Sequence, residues 1–271
     1  MSFTPANKTE LQNAVNGWCD GTITATNNPP SNVNGGSPVG DINTWVVTSV
    51  DDMSELFLDQ SSFDNDIGNW DTSNVTNMSE MFRGASSFNQ SIGNWNVSNV
   101  THIEYMFFDA RDFNQPINTT LNVTMNSSTY TAWDVSSVTD MHNMFEGAHD
   151  FNQDIGDWNV SSATTMQNMF YDATEFNKDI RSWSVQSGDT LTDMFNGATA
   201  FQNTFSSGNT PTYNFFNNNA PTGTVTISGT PTQGQTLTAF SLVADVDGMG
   251  TISYQWKRAG TDITNATNST Y

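Results

Sequence analysis

The residues best suited to chemistry in this sequence are carboxylates that the repeat places near a sheet edge or in loops: Asp64 with Asp66, Asp154 with Asp157, and Asp179. Hard oxygen ligands of this kind suit calcium, yet no complete loop of the EF-hand type accompanies them, and lone carboxylates are ordinarily solvated. Asp245 and Asp247 in the stretch DVDG make a better calcium pair, with an ordinary turn as the competing reading. Calcium is the one cofactor these residues leave open. The three histidines, His102, His142 and His149, have no cysteine or second histidine at metal-binding spacing, which argues against zinc. A nucleophilic triad needs a base beside its nucleophile, and a glycosidase needs two carboxylates about 5 to 9.5 Å apart on facing walls. No singular pair stands out among the repeated aspartates, so no catalytic residue is assigned and the chain reads as non-enzymatic.

Charge narrows the partners. Seven basic residues against 28 acidic ones give a net charge of -21, which repels nucleic-acid backbones and disfavours anionic membrane surfaces. Cys19 is the single cysteine, so no internal disulfide holds the fold and packing must do so. The start, MSFTPANKTEL, lacks the basic segment and apolar run of a secretory signal. No stretch approaches the roughly 18 apolar residues of a membrane span, so no membrane insertion is expected in this chain.

What positions the side chains is a repeat. Trp45, Trp70 and Trp95 are 25 residues apart, as are Trp133, Trp158 and Trp183, and the 38-residue gap between the two sets is one period plus an insertion of 13. Six units result. Counting from each Trp, position 5 holds Val50, Val75, Val100 and Val138, and position 8 holds Met53, Met78, Met141 and Met166. Positions 11 and 12 pair residues such as Met81 and Phe82, position 15 is small, and Phe and Ile close the unit, as in Phe88 and Ile92. Apolar residues three or four apart predict a short helix of about two turns, with Thr76 or Thr101 as its N-cap and Gly84 or Asp109 at its C-terminal turn. The remainder, from Phe through Ile to Trp, predicts one strand, bent near Gly68 so that both Ile67 and Trp70 face inward. The Asn column after Phe (Asn89, Asn114, Asn152) reads as a ladder of side-chain amides between units. Nine of the twelve Met fall in repeat columns, which makes them core filling and not a copper site. The Trp column has two readings: packed core, or a ladder of exposed rings at Trp70, Trp95, Trp158 and Trp183, about 4.8 Å apart, for stacking on sugars.

The fold class expected is an α/β repeat solenoid, leucine-rich-repeat-like, with one strand and one short helix per 25-residue unit. Residues 1–40 supply an N-terminal capping helix and loop, with Asn7 and Glu10 as a capping pair. Residues 41–220 form the array, closed by Phe205, Tyr213, Phe215 and Phe216, and residues 221–271 form a partial all-β, Ig-like module, too short for a whole domain of that kind. The insertion near 118–132 alternates Leu121, Val123 and Met125 before an Asn-Ser-Ser turn and Tyr130, the pattern of a projecting β-hairpin. With Asn118 it is the first candidate for partner contact.

The phrase F-N-Q-x-I-G-x-W-[DN]-x-S-[NS]-V-T-x-M-x-x-M-F-x-x-A, repeated in phase from residue 41 to about 205, resembles the repeat of BspA-like leucine-rich-repeat bacterial surface proteins, a mycoplasma-lipoprotein type of repeat. The tail resembles bacterial Ig-like modules through Gly229, Pro231, Gly234, Leu237, Asp245, Asp247, Gly248, Gly250, Tyr254 and Trp256. The resemblance implies a scaffold displayed at the cell surface or secreted, with adhesion to a protein or glycan on another cell or matrix as its role. The alternative is a carbohydrate-active or phage receptor-binding protein that uses the Trp ladder.

Overall fold

The computed structural model describes residues 2–27, 33–37, 39–216, 223–232, 234–241 and 253–271. It divides into two units, Met1–Phe216 and Asn217–Tyr271.

In the larger unit, helix α1 (Lys8–Cys19) opens on Asn7, whose side chain accepts from the Glu10 amide at 3.0 Å, while the Glu10 carboxylate accepts from the Ala6 amide at 3.0 Å. This reciprocal cap leaves Leu11, Ala14 and Val15 on the buried face. The helix lies against the first repeat: Lys8 Nζ reaches Asp52 at 3.0 Å, Gln12 Nε2 donates to the Leu56 carbonyl at 3.0 Å, and Trp18 meets Trp45 edge-on. The segment that follows is more than a loop, since Ile23, Val33 and Val39 are buried in the same core.

Neither the two-turn helix nor the strand expected in each repeat forms. From position 8 to position 15 the chain is a run of turns in which alternate amides point out of their own unit. Met53, Glu55, Phe57 and Asp59 donate to the carbonyls of Asn77, Ser79, Met81 and Arg83 in the next unit at 2.7–3.0 Å. The amides between them close local i→i−3 turns, Leu58 to Glu55 and Gln60 to Phe57, each at 3.1 Å. A helix would have to spend all these amides on carbonyls four residues back. Left-handed residues at position 10 (Glu55 at φ 62, Glu80 at φ 56) and position 14 prevent that. The expected Thr caps are diverted in the same way. The Thr76 amide and hydroxyl both bond to the Asp51 carbonyl of the preceding unit, at 2.8 and 3.2 Å, and Thr101 repeats this on Thr76.

Parallel pairing between units is confined to single bridges at position 7, running Asp52, Asn77, His102, Asp140, Thr165, Thr190. The Phe-to-Trp segment stays unpaired as a strand because it turns tightly: the Trp70 amide closes on the Ile67 carbonyl at 3.1 Å and the Val75 amide on Thr72 at 2.9 Å. That turn brings both Ile67 and Trp70 into the core. It also packs Gly68 so closely on the next unit that a Cβ there would lie 2.5 Å from the Ser91 carbonyl oxygen.

Side chains complete the stack. Phe57, Phe82, Phe107, Phe145, Phe170 and Phe195 form one continuous column with ring centroids 5.3–5.9 Å apart. The Phe63-to-Phe201 column runs beside it at 5.5–6.1 Å. Such pairs contribute about 0.5–1.5 kcal/mol each beyond area burial. In the Asn column each side-chain oxygen accepts from the backbone amide of the next unit: Asp64 from Asn89, Asn89 from Asn114, Asn114 from Asn152 and Asn152 from Asn177, all at 2.9–3.0 Å. At the far end, α2 (Thr199–Phe205) and α3 (Tyr213–Phe216) close the stack, with Phe216 stacked on Trp183 at 6.5 Å and Tyr213 left exposed.

The smaller unit contains two antiparallel pairs among its described residues, β3 (Val225–Ser228) with β4 (Thr238–Ser241), and β5 (Lys257–Arg258) with β6 (Thr261–Asp262). Backbone bonds between Leu237 and Tyr271 add the chain end to β4. Val225, Ile227 and Phe240 are more than half exposed.

Candidate functional site

The Trp column has lost its ambiguity. Trp70, Trp95, Trp158 and Trp183 are between 0 and 3% exposed, so no ring face is free for a sugar and the exposed ladder is ruled out. Each indole N–H instead donates backward to the column Ile of the preceding unit: Trp70 to Ile42, Trp95 to Ile67, Trp133 to Ile92, Trp158 to Ile117 and Trp183 to Ile155, at 2.8–3.3 Å. A buried indole needs such a partner. Trp45, which has no repeat before it, has none among the described residues.

The carboxylates proposed for calcium are engaged locally. Asp64 holds Asn89 and Gln90, Asp66 holds Gly68 and Asn43, Asp154 holds the Gly156 amide, and Asp157 accepts from the Thr119 amide at 3.4 Å. Asp179 accepts three hydrogen bonds from Arg181, two from the guanidinium and one from the backbone amide, which hold its carboxyl below the usual range. Among the described residues no three His, Cys, Asp or Glu side chains gather around one point. Asp245 and Asp247 lie outside the described residues. His102 bridges to Asp140 across the stack, and His142 Nδ1 meets Asp140 at 2.6 Å.

The insertion is where the surface departs from the period. Strand β1 (Thr120–Met125) pairs with β2 (Ser128–Ala132), Val123 opposite Tyr130 and Met125 opposite Ser128. The tip, Asn126-Ser127, has both φ values positive, 48 and 69, as a two-residue hairpin turn of the twist-matched kind requires. A bulge between Thr120 and Val123, with Asn122 at φ 58, bends the ribbon. Far from projecting, the hairpin folds back along the stack. The Tyr130 hydroxyl donates to the Asn94 carbonyl, and Asn126 Nδ2 donates to Asp71 Oδ2 at 3.0 Å, 55 residues away in sequence. Burial raises the Tyr130 phenol, and the nearby Asp71 carboxylate raises it further. Burial acts to raise Asp71 as well. Its bonds from the Ser73 hydroxyl, the Asn126 amide and the Ser73 N–H outweigh that, and the carboxyl ends below its ordinary range.

The five residues expected to touch a partner are therefore divided. Val123 and Tyr130 pack against the core, Met125 is half-buried, and Leu121 stands 70% exposed on the outer face. Asn118 lies at the other end of the ribbon, beside a shallow cleft of about 480 Å³ with Asp154, Gly156 and Asp157. A second cleft, of about 300 Å³, opens where the tip stops short of the first unit; its lining includes Asn43, Thr48, Asn69, Asp71 and Asn126 around Val46. Asp71, Asn69 and Asn126 were not legible as a group, since only the back-folded hairpin brings them together. Asn126 within a turn signal was the nearest hint.

A family model described as Mycoplasma protein of unknown function, DUF285, matches residues 31–130 and 119–220, which together span 190 of the 271 residues. No protein of curated description and no solved structure matches the chain.

Proposed function

Since the chain belongs to the Mycoplasma family of unknown function whose model spans its repeats, we propose that it is a non-enzymatic recognition scaffold of the BspA-like, leucine-rich-repeat solenoid kind, displayed outside the cell and binding a protein or glycan partner. The single observation that carries this reading is the contrast between the repeats and the insertion. The repeat columns are consumed by packing, whereas the hairpin spends Tyr130 and Asn126 on fixing its own position and leaves Leu121 exposed. A loop pinned on a rigid stack is a preorganised contact surface, which lowers the ordering cost of binding. The net charge of -21 favours partners that are basic or neutral. The small C-terminal unit fits the same reading as a partial Ig-like module of a surface protein.

The test is excision of residues 118–130, which removes 13 residues and restores the 25-residue spacing between Trp95 and Trp133. The intact chain and the excised one are applied to arrays of extracellular-matrix proteins and of glycans. The reading expects binding by the intact chain that disappears on excision while cooperative unfolding is retained. Equal binding by both forms, or by neither, would reject it.

A further inference from the structure

The cleft at the hairpin tip has a chemistry of its own. Its polar lining is made of amides, hydroxyls and one carboxylate, with no basic group. Part of that lining is already committed to holding the walls: Asn43 bonds Asp66 and the Asn69 amide, and the Asp71 carboxylate accepts from the Ser73 N–H and hydroxyl and from Asn126. Capacity remains. The Asn69 side-chain amide, the Thr48 hydroxyl and Asn126 Oδ1 have no partner among the described residues, and an ionised carboxylate such as Asp71 offers about four acceptor sites, of which three are filled. The apolar lining is Trp45, Val46 and Val47, of which Val46 alone is exposed, at 41%, and so offers an aliphatic surface beside these groups.

We propose that this cleft is a binding site for one neutral sugar residue at the end of a glycan. A sugar ring presents vicinal hydroxyls, each able to donate and to accept, to neighbouring amides and a carboxylate, and presents its C–H face to an aliphatic side chain. A volume of about 300 Å³ suits a single ring and is too small for a folded peptide segment. The Asp71 carboxylate in the lining and the acidity of the whole chain turn away sialic and uronic acids. The site differs from a Trp ladder, because it uses the outer edge of the first two units and the hairpin tip and requires no exposed indole. The inference rests on the recognition reading and names its ligand class.

The experiment uses the full chain and saturation-transfer NMR with free neutral hexoses and N-acetylhexosamines, with sialic acid and glucuronate alongside. At least one neutral sugar is expected to bind saturably, and the acids are not. Val46→Arg, which fills the cleft from a side chain outside the packed core, should abolish binding. Asn69→Ala, whose side chain holds no structural bond, should weaken it about tenfold. No neutral sugar bound, preference for the acids, or binding that survives Val46→Arg would each overturn the proposal. Hairpin-dependent capture on protein arrays that survives Val46→Arg would leave the recognition reading standing while this one fell.

Discussion

Position 14 of the repeat alternates without a break: Asp59, Gly84, Asp109, Gly147, Asp172, Gly197. All six residues have positive φ, between 53 and 78, which aspartate tolerates and glycine prefers. Space dictates which of the two stands where. A Cβ on Gly84 would lie 2.4 Å from Asp59 Oδ1, on Gly147 2.7 Å from Asp109 Oδ1, and on Gly197 1.8 Å from Asp172 Oδ1. Each carboxylate occupies the room its neighbour's missing side chain leaves. Gly147→Ala should therefore cost about 1–3 kcal/mol, part from strained φ and part from the clash, and Asp109→Ala in the same chain should recover the clash part, as read from chemical denaturation of both forms. Glu146 belongs to the same ridge. Burial raises its carboxyl, the Asn143 amide opposes this, and Asp109 and Asp172 raise it further. An acid whose folded pKa is raised weakens the fold where it is charged, and the penalty fades as pH falls through that raised value. Glu146→Gln should then raise the melting temperature near neutral pH and leave acidic melts unchanged; an equal effect at both would rule out a charge origin. The alternation was visible in the sequence, but the short-helix reading took it for a choice between two residues suited to the turn that ends a helix. Nothing in one unit reveals that its partner lies 25 residues away.

The hairpin shows what an element's sequence can and cannot reveal. Its existence follows from alternating Leu121, Val123 and Met125, while its direction does not, because the tip is fixed by Asn94 and Asp71 in units that precede it by tens of residues. The units themselves follow the same lesson from the other side. Apolar residues three or four apart fit a helix and a chain of turns equally well, and the decision falls to amides that find carbonyls in the next unit. Periodicity therefore identified the core columns and misassigned the backbone that carries them. Two predictions belong here. Tyr130→Phe, which removes only the hydroxyl bonded to Asn94, should lower the protection of β1 and β2 amides against hydrogen exchange by about 1 kcal/mol while leaving the Phe columns protected. Acid should release the tip as well. Asp71 has a lowered pKa in the folded chain, so its bond to Asn126 is fully present above the ordinary carboxylate range and is lost as pH falls through the lowered value. An NMR titration of the Asp71 carboxyl should move up toward the ordinary range in Asn126→Ala, and a titration curve identical to that of the parent chain would detach Asn126 from the effect.

At the scale of the whole molecule, stability is a sum over interfaces between like units, closed at one end by α1 and at the other by α2 and α3. Simple stacking predicts that each unit removed lowers stability further, since each removal deletes one more set of stacked Phe rings. The alternation at position 14 predicts otherwise. Deleting residues 134–158 removes one 25-residue unit and sets Asp109 directly against Asp172, two carboxylates in a space that admits one. Deleting residues 134–183 removes two units and sets Asp109 against Gly197, the arrangement the intact stack uses throughout. Like charges one unit apart on this ridge repel by an amount on the order of 1 kcal/mol, and the displaced side chain adds strain. The shorter chain should thus unfold at the higher temperature of the two, although it has lost more packing. The pH dependence separates the charge from the strain: the repelling pair raises its own pKa, so the one-unit deletion should gain stability as pH falls through the carboxylate range, and the two-unit deletion should not. Thermal unfolding of both chains at neutral and acidic pH decides it, and a one-unit deletion that melts above the two-unit deletion at neutral pH would show that packing area outweighs the two-unit rule.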